Sequence, residues 1–239
     1  IDPFVDRSAY AEIDAAVKAI GVPTLVGAVV FGPDANHVQN MGIVWDPRTG
    51  PGQEYVKRHL VPFGEYIPFR GLLTRFITRL DQIPLDFAAG REAGVLQLGP
   101  ARIGVVTCFE VAYDELIRDV VSGGGELLVV QTNNATYTGT GQLEQQFAIS
   151  RYRAIETGRS VVIAATDGIS GIIAPDGTVL SSTGQRTREV LTERVPLGDG
   201  LTLGVRIGGW LKTVLSALAL VLAVRAYVGR RRAGGGAAT

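Results

Sequence analysis

Three apolar runs separated by helical patterns do most to limit what this chain can fold into. Residues 102–107 form the first run, followed by a helical pattern over 110–121 that closes at three consecutive glycines. Residues 126–131 form the second, apolar enough to be buried on both faces. A helical pattern over 141–157 then leads to a third strand over 160–166. Strands that alternate with helices this closely pack as layers, so the chain reads as an α/β domain. Upstream, residues 6–20 predict an amphipathic helix with Ile13, Val17 and Ile20 on one face and Gly21 closing it. Residues 24–31 predict a strand, and 38–45 with 53–58 predict a hairpin around the Asp-Pro-Arg-Thr-Gly turn. Residues 71–80 predict a short helix, and 95–98 should pair with 102–107. Strands over 171–174 and 178–182, joined at Pro-Asp-Gly, complete a sheet with antiparallel pairs, hence a mixed one.

Composition narrows the function. Apolar residues make up 46% of 239, enough to fill a sizeable core. Basic and acidic residues balance at 23 each, so nothing global points to nucleic acid. One cysteine excludes an internal disulfide, and with only His37 and His59 beside it no metal or other cofactor is indicated.

That cysteine, Cys108, falls where an apolar strand stops and a polar helix starts. A thiol at such an elbow is exposed at the sheet edge and faces the unpaired N–H groups of the helix start. Those donors favour thiolate and can hold an oxyanion one atom away. The competing reading is a small buried hydrophobe.

The stretch 207–228 is almost wholly apolar and is followed by Arg230, Arg231 and Arg232. As a helix it is roughly 33 Å long, enough to cross a bilayer. Trp210 and Tyr227 then lie about 25 Å apart along the axis, at the two interfaces. Lys212 and Arg225 sit near the ends, where long side chains snorkel. The expected order is a domain over 1–196, a linker over 197–206, a transmembrane helix over 207–228 and a disordered basic, Gly/Ala-rich tail over 229–239. Arginines on the cytoplasmic side place the domain outside the cell.

A second segment is Tyr55-Val-Lys-Arg-His-Leu-Val-Pro-Phe-Gly-Glu-Tyr-Ile-Pro-Phe69. Lys57 and His59 are two apart at a strand end and should face the same way. Two prolines and a glycine then fix an irregular loop that presents Glu65. With Cys108-Phe109-Glu110, Thr132-Asn133-Asn134-Ala135 and the Gly-rich stretch 168–177, this segment resembles the nitrilase superfamily. Within it, the His-Leu-Val-Pro-Phe-Gly-Glu string and the terminal apolar helix resemble the bacterial apolipoprotein N-acyltransferases.

The resemblance implies a nitrilase-like α-β-β-α sandwich with mixed sheets, followed by a C-terminal transmembrane helix. It implies a Glu–Lys–Cys triad in which Cys108 is the nucleophile and Lys57 its cationic partner. The Phe109 N–H would be an oxyanion donor, and Glu65 and Glu110 would orient Lys57 or line the entrance. It implies acyl transfer from a membrane phospholipid to a diacylated lipoprotein at the plasma membrane of a bacterium, with the C-terminus cytoplasmic. Asn133 and Asn134 read equally well as loop caps. The family's general-base glutamate lies in a Trp-Pro-Glu motif absent from this chain, and Glu12, Glu54 and Glu92 fit neither its position nor its context. The chain, which opens at Ile1 without Met, therefore reads as a C-terminal part of an enzyme, inactive alone. Thr136-Tyr137-Thr138-Gly139 stands where the family carries Trp-Phe-Gly, so the substrate loop is not transferred. Three rivals remain: an amidase or other hydrolase of the superfamily, marked against by the apolar Leu72, Phe76 and Ile77 face; a Cys108–His59 pair; and a catalytically dead scaffold.

Overall fold

Capping residues set the first element. The Asp6 carboxylate accepts from the Ser8 and Ala9 N–H groups, starting α1 (Arg7–Ile20), and Gly21 ends it in the left-handed region at φ 78°. The computed structural model describes residues 2–73, 75 and 85–234. After α1 come β1 (Thr24–Phe31), β2 (His37–Asp46), β3 (Gly50–Val56), α2 (Arg70–Leu73), β4 (Asp86–Phe87), β5 (Val95–Leu98) and β6 (Ala101–Thr107). A 3-10 turn (Cys108–Ala112) leads to α3 (Asp114–Ser122) and β7 (Leu127–Thr132). Next are a second 3-10 turn (Ala135–Tyr137), α4 (Gln142–Thr157), β8 (Val161–Ala165), β9 (Gly171–Ile173), β10 (Val179–Ser182) and α5 (Leu203–Gly234).

The strands form two sheets. In the first, β1, β2 and β3 run antiparallel in that order, and β4 adds parallel to the His37 end of β2. The second has six strands in the order β10-β9-β8-β7-β6-β5. Its centre, β6-β7-β8, is parallel, and both flanks are antiparallel. The sheet is therefore mixed, as the sequence predicts.

Alternation along the strands divides the core into layers. Ile43 and Trp45 of β2 pack with Val17 of α1. Val44, between them, turns the other way and meets Tyr55, Ile103, Val105 and Val129 between the sheets. Val106, Leu128 and Val130 face outward onto Ile117 and Val120 of α3 and Ala154 of α4. The order of layers is α-β-β-α. Each such side chain is worth about 1.5–3 kcal/mol when fully buried. Where the sheets close, a Cβ at Gly42 of β2 would sit 2.8 Å from the Gln131 Oε1 and 3.3 Å from Val105 Cγ1.

Several predicted boundaries differ, among them the second hairpin strand, expected over 53–58 and found as β3. The helix expected over 110–121 is two pieces, since Tyr113 is extended (φ −93°, ψ 114°) between the 3-10 turn and α3. Of the helix predicted over 71–80, only the first turn, α2, is described; residues 74 and 76–80, including Phe76 and Ile77, lie outside the described residues, as does the Leu72 side chain. Finally, α5 begins at Leu203, inside the expected linker, and stays helical to Gly234, past the expected start of the tail.

The remaining linker is also no free tether. Gly198 N donates to Glu126 O at 2.9 Å, Thr202 Oγ1 to Glu156 O at 2.6 Å, and the Arg159 guanidinium to the Asp199 and Gly200 carbonyls. Val205, in the first turn of α5, belongs to the same core cluster as Ile117 and Val130. Residues Leu203–Tyr227 form one helix long and apolar enough to cross a membrane, with a mean hydropathy of 1.9 over its best window. Trp210 and Tyr227 are exposed near its ends.

Candidate active site

The last residue of β6 hands the chain to Cys108, which adopts φ 56°, the left-handed region. For a residue with a Cβ this costs of order 1–3 kcal/mol and is kept where surrounding contacts over-determine it. Here the over-determining group is Glu110, fully buried two residues on. Its Oε1 accepts from the Arg58 and His59 N–H groups, each at 2.8 Å. Its Oε2 accepts from Tyr55 Oη at 2.8 Å and Thr107 N at 2.7 Å. Four accepted bonds and no donated one is the pattern of an ionised carboxylate. Burial first, and then the Glu110 charge, push the Tyr55 phenol far above its ordinary range, which keeps it a donor. One side chain thus clamps the end of β3 to the cysteine elbow.

Between the clamped residues lies Lys57, only 1% exposed. Its Nζ donates to both Glu65 oxygens at 2.8 Å. Glu65 also accepts from Asn40 Nδ2 at 2.6 Å and from Val61 N at 2.8 Å, so the loop closes on its own glutamate. A Lys-Arg-His string reads as a solvated charge; the partner that lets Lys57 be buried stands eight residues away.

The expected pairing of Lys57 and His59 on one face fails. Strand β3 ends at Val56, so the two-residue period does not carry on. The His59 ring instead lies against Tyr113, with centroids 3.6 Å apart. No hydrogen bond joins His59 to Cys108, or Lys57 to Cys108, among the described residues.

The Cys108 sulfur is half-buried, with Asn134 Oδ1 at 3.8 Å. That oxygen also accepts from Thr132 Oγ1 at 2.9 Å, and Asn134 itself is buried. The two asparagines therefore separate: Asn133 caps the following turn through Ala135 N, at 3.1 Å, while Asn134 meets the thiol.

Cys108 opens on a cavity of about 270 Å³, whose walls include Phe109, Asn134, Gln142, Gln145 and Gln146. Phe109 is 46% exposed and meets Tyr113 edge-on. Lys57 does not line this cavity. The glutamines stand at i, i+3 and i+4 on the first turns of α4, one face of the helix. Sequence reasoning missed them, although that spacing was its signal. Buried Arg153 holds α4 to the elbow by donating to the Val111 and Ala112 carbonyls, each at 2.8 Å, and to Asp114. Among the described residues no three His, Cys, Asp or Glu side chains gather as metal ligands would.

Comparison with known proteins follows the same outline. The carbon-nitrogen hydrolase family profile matches residues 5–200. An apolipoprotein N-acyltransferase of Mycolicibacterium smegmatis is 37% identical over 96% of this chain and 39% of its own length. One from Gloeobacter violaceus is 36% identical over 73% of this chain and 34% of its own length. The chain thus spans under two-fifths of these relatives. Among solved structures, an amidase of the nitrilase superfamily from Nesterenkonia superposes with a TM-score of 0.56 at 19% identity, over 75% of this chain and 64% of that one. Nit3 of Saccharomyces cerevisiae superposes with a TM-score of 0.54 at 14% identity, over 72% of this chain and 59% of its own. The fold is nitrilase-like.

Proposed function

This chain belongs to the carbon-nitrogen hydrolase family, and on that premise we propose that it is the catalytic part of an apolipoprotein N-acyltransferase. The observation that carries this reading is the Glu110 clamp, which ties the strand end bearing Lys57 to the elbow bearing Cys108 at the cavity wall.

In the proposed reaction the Cys108 thiolate attacks an ester carbonyl of a membrane phospholipid. The tetrahedral oxyanion is met by the Phe109 N–H, and its collapse expels a lysophospholipid; Lys57, which does not line the cavity, acts on the site through its charge. The acyl group remains on Sγ as a thioester. The free α-amine of a diacylglyceryl-cysteine lipoprotein then attacks that carbonyl, loses a proton and releases the thiolate, leaving an amide. Amide formation draws the second step forward. Glu65 positions Lys57, and Glu110 positions the elbow. A general base takes the thiol proton, returns it to the leaving lysophospholipid oxygen and then takes the amine proton; the Trp-Pro-Glu motif that supplies it in the family is absent from these 239 residues. The span in α5 seats the domain on the outer face of a bacterial plasma membrane with the C-terminus inside, and the bilayer supplies both substrates.

The test is to incubate the full-length protein with labelled phospholipid and isolate the acyl-enzyme. A hydroxylamine-labile label on wild type that is absent from Cys108→Ser is expected. The same label on Cys108→Ser refutes the assignment, and free fatty acid or ammonia as the sole product replaces the transferase by a hydrolase.

A further inference from the structure

One residue that lines the Cys108 cavity has a polar atom without a partner. Gln146 is 8% exposed and lines the cavity, and its Nε2 is buried with no hydrogen-bond partner among the described residues. Its own backbone carbonyl is engaged, accepting from Ser150 Oγ at 2.9 Å, so the unpaired group is the side-chain nitrogen. A buried donor left unmet is costly, and folds keep one where a ligand meets it. Beside it, Gln142, Gln145 and Asn134 are uncharged carboxamides, and the other walls are Val61, Phe109 and Tyr137. No charged side chain is among the described residues lining the cavity. A phosphate would find no cation there, and an alkyl chain would strand the amide. A neutral, oxygen-accepting group suits it.

We infer that Gln146 donates from Nε2 to a carbonyl oxygen of the ester or amide group that enters the Cys108 cavity, and so selects for carbonyl substrates. This deepens the proposed function and rests on Cys108 as the reacting atom. Gln146 is a specificity residue, and its contact is made before any bond changes.

Two alkylating agents with one leaving group test it on the full chain: bromoacetamide, which carries a carbonyl, and allyl bromide, which has no oxygen. In each, the Cys108 thiolate forms a C–S bond and bromide leaves. Gln146→Met should lower the bromoacetamide rate about 3- to 10-fold, one neutral hydrogen bond, and leave the allyl bromide rate unchanged. Its melting temperature should hold or rise, because an unmet donor has gone. Glu144→Gln, exposed on α4 and outside the cavity lining, should change neither rate. A ratio of the two rates that is the same in wild type and Gln146→Met overturns the inference. A fall in both rates together overturns it too, since a merely structural residue would do that. If Gln146→Met loses its native transition, Gln146→Leu, which also removes the donor without adding a charge, takes its place with the same expectations. If neither reagent labels folded wild type, the nucleophile reading itself is wrong. Single-turnover acylation and deacylation of full-length Gln146→Met then name the carbonyl: a slowed first step assigns the phospholipid ester, a slowed second step the thioester on Cys108.

Discussion

Replacing Glu110 by glutamine keeps the shape of the clamp and breaks its hydrogen-bond arithmetic. The carboxylate serves two donors on each oxygen, the Arg58 and His59 N–H groups on one and Tyr55 Oη with Thr107 N on the other. Turned toward Arg58 and His59, the new amide NH₂ would strand two backbone donors. Turned toward Tyr55, it strands one, because the phenol can rotate and accept while Thr107 N cannot. The second orientation is therefore preferred, at about 1–3 kcal/mol for the stranded donor. The two bonds left on the neutral oxygen each weaken by about 1 kcal/mol once the charge is gone. Relief of a buried charge returns part of this, for a net loss of about 2–4 kcal/mol. Urea unfolding followed through buried Trp45 measures it. Tyr55→Phe should cost less, about 1–2 kcal/mol, and the double variant less than the sum, since both act on one carboxylate. A Glu110→Gln protein within about 0.5 kcal/mol of wild type would refute the clamp as the source of the strained elbow.

At φ 56°, Cys108→Gly should be about 1 kcal/mol more stable than Cys108→Ala in the same urea titration, the reverse of the order at an ordinary position. Lys57→Met leaves the Glu65 carboxylate in place with only Asn40 and Val61 N, and should cost about 3 kcal/mol of unfolding free energy. The Arg153 guanidinium beside Asp114 and the Arg70 guanidinium beside Asp86 hold those carboxyls below the usual range. Depressed carboxyls stabilise above their unfolded value, so stability should be flat from pH 7 to 5 and fall below about pH 4. Asp114→Asn should shrink that acid loss. The raised Tyr55 phenol works in the opposite direction: its contribution is present below about pH 10 and lost as pH rises beyond it, a fall that Tyr55→Phe should abolish.

What the sequence displays is what local chemistry decides. Asp6 and Gly21 bracket α1 because caps act on their own backbone, and β1 runs from Thr24 to Phe31 as its pattern predicts. Cys108 was legible as an elbow because an apolar run ends there. The interruption at Tyr113 was not, since the carbonyls of Val111 and Ala112 that the break leaves open are met by Arg153, about forty residues later. Asn133 and Asn134 are the same residue type side by side, and only the third dimension gives one a turn and the other a thiol. The start of α5 was misplaced because hydropathy marks where a helix becomes apolar, whereas Thr202 and Val205 mark where it begins. Lys57 looked solvated for a related reason: burial of an ammonium depends on a carboxylate that only the folded loop brings back.

The rooting of α5 has a mechanical consequence. Its first turn contributes Val205 to the core, Lys212 two turns on reaches Asp114 at 3.3 Å, and the Arg118 guanidinium lies against Gly209. A rod fixed at its base in this way transmits direction. For a domain seated in lipid through this rod, the angle between the cavity mouth and the bilayer surface is set by protein packing. Lipid chains that tilt the rod would tilt the mouth with it.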